Sequence, residues 1–262
     1  MEIPIYQIDA FASGLFRGNP AAICPLDHWL PDPVLQAIAA ENNLAETAYY
    51  VVENGRYRLR WLTPLVEVDL CGHATLAAAA VILEVRKEVA ASRIAFDTRS
   101  GEVAVDRSGD VYTLDFPSQP AAPVTANPDL AAALGAQPSA FLRARYDLCI
   151  FETEQQIRAL SPDMRALQHI AGKVIVTAPG HDCDFVSRFF APAAGIDEDP
   201  VTGSAHSTLI PYWSARLGKK KMFARQISAR GGELWCEDRG SRVGIGGHAV
   251  KYLEGRIFVP AN

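Results

Sequence analysis

The sequence predicts an α+β protein of two similar halves, and three observations lead there. Short runs of β-branched and aromatic residues, separated by turn signals, recur along the whole chain. One helical run interrupts the strands of each half at a comparable place, over residues 73–85 and 204–217. Between the halves lies a Pro- and Ala-rich stretch, residues 117–128, that carries neither period. With 262 residues, 49% hydrophobic and 21% charged, the chain has enough apolar side chains to give each half a core.

Taken in order, strands are expected at residues 3–11, 47–52, 57–62, 94–97, 102–105 and 111–116, with hairpin turns at Asn54-Gly55 and Ser108-Gly109-Asp110. A helix over 33–41 is expected to be capped by Asp32. The next, over 73–85, carries Leu76, Ala77, Ala79, Ala80, Val81 and Leu83, a nearly unbroken apolar surface that suits a helix surrounded by sheet. Asn127 is expected to cap a short helix from Pro128 to Gly135. Strands follow at 148–151, 174–177 and 186–190, then the helix over 204–217, then strands to the end. The halves are accordingly 1–117 and 118–262, with the last strand free to return to the first half.

The repetition is sharpest just ahead of the two helices. Thr63-Pro64 leads through Val68-Asp69-Leu70-Cys71-Gly72-His73 into the first, and Ala191-Pro192 leads through Asp199-Pro200-Val201-Thr202-Gly203-Ser204 into the second. Each has a Pro, an acid, then Gly and a polar residue at a helix start. Helix N-termini present free N–H groups and positive potential, so two such starts facing each other would cradle a small carboxylate. Two ordinary caps would leave the same trace.

Composition excludes several classes. A formal charge of −5 and a pI near 5.7 give no attraction to phosphate backbones, and Lys219-Lys220-Lys221 reads as a solvated helix end rather than a nucleic-acid patch. No secretory leader pattern is visible, and the longest apolar run, 74–83, is too short for a membrane span, so a cytosolic protein is the expectation. Five scattered cysteines, with no C-x-x-C, read as reduced thiols. His28, His169, His181 and His248 have no ligand-like spacing to nearby acids or cysteines, so no metal site is expected. Dinucleotide, Walker, G-x-S-x-G and H-E-x-x-H motifs are absent from the sequence.

Glu46 is the first candidate for chemistry, because a carboxylate opening the apolar strand Thr47-Ala48-Tyr49-Tyr50 runs against β propensity. Apolar surroundings would raise its pKa and let it give and take a proton near neutrality; an exposed carboxylate is the plain alternative. Asp199 is one of three acids crowded before the second helix, where at least one is expected to be a cap or a loop anchor. His73 stands at a helix start as a site or core residue, and His206, one turn into its helix, as a supporting or structural one.

Several ordered motifs together resemble the PhzF-like family of phenazine biosynthesis. They are Asp9-Ala10-Phe11 with Gly18-Asn19-Pro20-Ala21, Leu44-Ala45-Glu46-Thr47, Arg60-Trp61-Leu62-Thr63-Pro64 with Glu67-Val68-Asp69, Cys71-Gly72-His73-Ala74-Thr75, and Asp199-Pro200-Val201-Thr202-Gly203-Ser204-Ala205-His206. Asp97-Thr98-Arg99-Ser100-Gly101 and Ser228-Ala229-Arg230-Gly231-Gly232-Glu233 extend the likeness nearly from end to end.

The resemblance implies a diaminopimelate epimerase-like fold, two pseudo-symmetric halves that each curl a sheet around a central helix, with the site in the cleft between them. It implies a cofactor-independent isomerase, a small carboxylate as substrate, and a homodimer. Carried over residue by residue, Glu46 matches the catalytic acid/base, His73, Asp199 and Ser204 the residues that line the site, and Gly72 and Gly203 the helix-start amides. Epimerases of this fold use one cysteine at each helix start; here Cys71 has Thr202 as its counterpart, and an alcohol cannot replace a thiolate near neutrality. Cys71 is therefore read as a small buried residue. Two other readings stay open: an amino- or hydroxy-acid racemase using Glu46 and Cys71, and a non-catalytic binding protein for small acids.

Overall fold

The computed structural model describes residues 1–259. The chain forms two compact units: Phe116–Ile245 is one, and Met1–Asp115 together with the chain from Gly246 onward is the other. The boundary lies two residues ahead of the sequence estimate, and the chain end belongs with the first unit. No helix among the described residues is long and apolar enough to cross a membrane.

The first unit contains β1 (Glu2–Ala10), β2 (Asn19–Pro25), α1 (Asp32–Asn42), β3 (Glu46–Glu53), β4 (Arg56–Leu62), β5 (Glu67–Val68), α2 (Gly72–Ala80), β6 (Arg93–Thr98), β7 (Gly101–Ser108) and most of β8 (Val111–Pro117). The second contains β9 (Ala122–Pro123), α3 (Pro128–Leu134), β10 (Ala140–Arg143), β11 (Asp147–Ile150), α4 (Glu154–Ala159), α5 (Met164–Ile170), β12 (Val174–Pro179), β13 (Phe185–Ala191), β14 (Ile196–Glu198), α6 (Gly203–Leu217), β15 (Lys221–Gln226), β16 (Gly232–Asp238) and most of β17 (Arg242–Gly247). Strand β18 (Ala249–Phe258) closes the first unit by pairing antiparallel with β1.

Strand pairing repeats between the units. In the first, β2 runs parallel to β3, β3 antiparallel to β4, β4 parallel to β6 and β6 antiparallel to β7, while β5 leans antiparallel on β4. In the second, β11 runs parallel to β12, β12 antiparallel to β13, β13 parallel to β15 and β15 antiparallel to β16, while β14 leans antiparallel on β13. The helix that follows β5 or β14 is the central one. Every residue of α2 from His73 to Ala80 is buried, and the helix packs against β1, β2, β3, β7 and β18. In α6, Trp213 stacks on Phe185 of β13 at 5.6 Å and donates to Thr177 Oγ1 of β12 at 3.0 Å. The sequence expectation of a sheet curled round an apolar helix describes both units.

Three local expectations need correction. Asp32 does not cap α1: the N-cap is Pro31, and Asp32 sits in the first turn, where its carboxylate favours the helix dipole and accepts from Arg60 at 2.9 Å. The helical run 73–85 is α-helical only to Ala80 and continues as one π turn over Val81–Val85. Helix α6 ends at Leu217 with Gly218 left-handed at φ 67°, so the lysines lie past it, Lys219 pairing with Asp184 and Lys221 opening β15. Strand β2, Asn-Pro-Ala-Ala-Ile-Cys-Pro, escaped the sequence reading because burial rather than β propensity forms it.

Candidate active site

The candidate residues form two groups, one in each unit. In the first, Glu46 opens β3. Helix α1 ends with Asn43 left-handed at φ 49°, its N–H closing on the Ala39 carbonyl at 3.2 Å, and Asn42 Nδ2 donates to Thr47 Oγ1 at 3.1 Å. The paired asparagines thus turn the chain abruptly from helix to strand. Glu46 lies opposite Ala21 in the parallel register with β2. That strand can begin where it does because Gly18, at φ 71°, packs so tightly that a Cβ would sit 2.3 Å from the Ala10 carbonyl oxygen.

Glu46 is not an exposed carboxylate. Its side chain is 14% exposed, and its Oε2 lies 3.2 Å from Nε2 of His73, itself 7% exposed. The two atoms touch without the alignment of a hydrogen bond. His73 is the second residue of α2, and on the other side of its ring Nδ1 lies 3.5 Å from Cys71 Sγ. Burial pushes the His73 pKa down to about 3, against the smaller opposing effect of a hydrogen bond to the Pro20 carbonyl. The imidazole is therefore neutral at physiological pH. Gly18-Asn19-Pro20-Ala21, which the sequence offered only as part of a family likeness, thereby positions both Glu46 and His73.

In the second unit, Asp199 and Ser204 flank the start of α6. Thr202 Oγ1 donates to Asp199 Oδ2 at 2.5 Å. Gln226, fully buried at the end of β15, accepts from Thr202 N at 2.8 Å and donates to the Asp199 carbonyl at 2.8 Å and to Thr202 Oγ1 at 3.2 Å. Sequence reasoning missed Gln226; a buried amide carries no spacing signature. Ser204 does not cap the helix. Its Oγ meets the Tyr146 hydroxyl at 3.3 Å, and Tyr146 is braced edge-on by Phe189 at 5.3 Å. His206 is structural: wholly buried, with its pKa pushed down by desolvation to about 4, it contacts the Thr202 carbonyl through Nδ1 at 2.9 Å.

Neither central helix has a side-chain cap. Cys71 and Thr202, the N-cap residues, make no cap hydrogen bond, whereas Asn127, Thr153 and Asp163 cap α3, α4 and α5. Ordinary capping, the plain reading of the two Gly-polar starts, does not describe them. The T-x-x-Q capping box at Thr153-Gln156 was legible in the sequence and would have found α4.

All five cysteines are free thiols, and burial pushes Cys24 and Cys149 up to about 12. Spacing along the chain suggested no metal ligands, but in space Glu46, Cys71 and His73 each present a ligand atom, all within 4.8 Å of one another.

Known proteins place the chain and its fold. A model of the phenazine biosynthesis-like protein family matches residues 8–255. An uncharacterized isomerase of Pseudomonas aeruginosa is 52% identical over 259 residues, spanning 98% of this chain and 99% of its own. The crystal structure of a PhzF-family protein of Enterococcus faecalis, 44% identical, superposes with a TM-score of 0.97 over 99% of this chain and 100% of that one. A probable proline racemase of Agrobacterium radiobacter, 10% identical, shares the fold with a TM-score of 0.65 over 99% of this chain and 93% of that one. Fold and relatives together define an isomerase on the diaminopimelate epimerase-like scaffold. The chain belongs to the phenazine biosynthesis-like, or PhzF, family.

Proposed function

We propose that this isomerase acts without a cofactor on a small unsaturated carboxylic acid, with Glu46 moving a proton between two of its carbons. The observation that carries the reading is the Glu46 carboxylate, mostly buried, held against a neutral imidazole at a helix start that no side chain caps. Glu46 takes a proton from carbon, the electron pair spreads into the conjugated acid, and the carboxylic acid returns the proton at another carbon on the same face. No net charge or proton is gained. His73 stays neutral throughout and orients Glu46, whose acid form, 14% exposed, exchanges in part with solvent between the two steps.

Binding roles follow from the same physics. Gly72 and Gly203 begin helices whose amides and dipoles suit the substrate carboxylate, and Ser204 and Asp199 offer polar contacts to it. Asp199 is held ready by Thr202 and Gln226.

A racemase using Glu46 and Cys71 would need the two side chains to rotate apart. Two bases on opposite faces of one carbon, each at the roughly 3–3.5 Å of a reactive approach, stand about 6 Å or more apart. Ligand-type atoms of Glu46 and Cys71 lie within 4.8 Å.

The test is solvent deuterium incorporation, followed by NMR, into a panel of small unsaturated acids. Glu46→Gln should lower incorporation at least about 100-fold while affinity and fold persist. Undiminished incorporation overturns the proposal, and inversion of a stereocentre would favour the racemase. Binding with no incorporation by the parent protein would leave only a carrier of small acids.

A further inference from the structure

The Glu46, Cys71 and His73 cluster has a property that proton transfer does not use. It joins a thiol, an imidazole and a carboxylate, the three ligand types of zinc sites, and among the described residues it is the group whose ligand atoms all lie within 4.8 Å of one another. We infer that these residues bind one soft divalent cation, with zinc as the natural ligand class, and that the bound ion removes Glu46 from proton transfer. The second clause rests on the function proposed above; the binding itself does not.

Geometry supports the site. Bond lengths of about 2.3 Å to sulfur and about 2.0–2.1 Å to nitrogen or oxygen put neighbouring ligands of a tetrahedral zinc roughly 3.4–3.6 Å apart. Cys71 Sγ and His73 Nδ1 are 3.5 Å apart, and His73 Nε2 and Glu46 Oε2 are 3.2 Å apart. The ring stands between thiol and carboxylate, so one nitrogen must turn to serve both. The remaining contraction, from 4.8 Å to that spacing, is within the reach of side-chain rotation. His73 Nε2 is buried without an aligned hydrogen bond, and the ring's bond to the Pro20 carbonyl is what ligation would have to keep or replace.

Charge supports it too. A thiolate and a carboxylate balance a divalent ion while the imidazole adds none, so the filled site is neutral, as a buried site requires. Binding releases the Cys71 thiol proton to solvent and leaves a fourth position for water or a substrate oxygen. Ligands come from rigid elements: the first residue of β3, and the N-cap and second residue of α2. The corresponding start of α6 offers Thr202 and Ser204, which are poor ligands for such an ion.

Cadmium is the probe, because cadmium thiolates absorb in the ultraviolet. Titrating the intact protein should give a thiolate-to-cadmium band that saturates at one equivalent and is reversed by chelator and by excess zinc. Cys71→Ser should abolish it, Glu46→Gln and His73→Gln should each weaken binding at least about tenfold, and Cys183→Ser should leave it in place. A band that survives Cys71→Ser, or affinity indifferent to both Glu46→Gln and His73→Gln, overturns the site. Should Cys71→Ser fail to fold, the other two variants decide the matter. Zinc should also suppress deuterium incorporation in parallel with binding. If the metal binds yet Glu46→Gln retains incorporation, the site stands and the proposed function falls.

Discussion

The starts of α2 and α6 share a frame and differ in their occupants. Four residues before each N-cap stands a glutamate clamped by an arginine from the neighbouring strand: Glu67 by Arg60, at 2.8 Å to each oxygen, and Glu198 by Arg188, at 2.8 and 3.0 Å. Two residues before, a backbone carbonyl accepts from a serine on a later turn: Asp69 from Ser100 at 2.6 Å, and Pro200 from Ser228 at 2.8 Å. At the N-cap itself, the carbonyl meets the side chain four residues on: Cys71 with Thr75 Oγ1 at 2.6 Å, and Thr202 with His206 Nδ1 at 2.9 Å. The proposed chemistry falls where the copies diverge. The first has Cys71, His73 and Glu46; the second has Thr202, Ser204, Asp199 and the Gln226 brace. The repeat thus preserves the bonds that aim a helix tip and varies the groups placed there.

Acid should expose that difference most strongly. His73 and His206 are neutral when folded, with pKa values near 3 and 4, whereas an unfolded histidine titrates near 6.5. Between those values the unfolded chain binds more protons, so stability is full above about pH 6.5 and falls on acidification toward pH 3–4, by on the order of several kcal/mol. Urea unfolding against pH measures this. His206→Gln, which keeps a donor for the Thr202 carbonyl, should flatten the slope between about pH 4 and 6.5; an unchanged slope removes His206 from the account.

The brace belongs to the second unit alone. Gln226→Leu takes the partner from the buried Thr202 N–H and from the part-buried Asp199 carbonyl, at a cost of roughly 2–4 kcal/mol in urea unfolding. A cost below about 0.5 kcal/mol would mean that water replaces the amide freely.

Ser204 sharpens the comparison from the ligand side. Its hydroxyl contact to Tyr146 is long, at 3.3 Å, so Ser204→Ala should move fold stability by less than about 1 kcal/mol. Affinity for a small carboxylate, read by calorimetry, should fall by about 1–3 kcal/mol. Equal affinity would make Ser204 part of the frame.

Much of this was legible in the sequence. Apolar density announced α2 as a buried helix, Asn127-Pro128 announced α3, and Glu46 was conspicuous as an acid at the mouth of an apolar strand. The Pro-acid-Gly repeat gave away the two helix starts. Local composition suffices for such features because capping, periodicity and propensity act over a few residues.

What the fold alone decided are the long-range partners. Glu46 meets His73 across 27 positions, and Gln226 reaches the Asp199 carbonyl across 27 more, on strands whose register no local pattern records. Strand β2, poor in β formers, exists because sheet neighbours and α2 bury it from both sides. A sequence states which side chains are available and how each segment prefers to fold. Which of them share a buried pocket, and hence which titrate, brace or ligate, depends on desolvation and contact, and those arise only when distant segments pack.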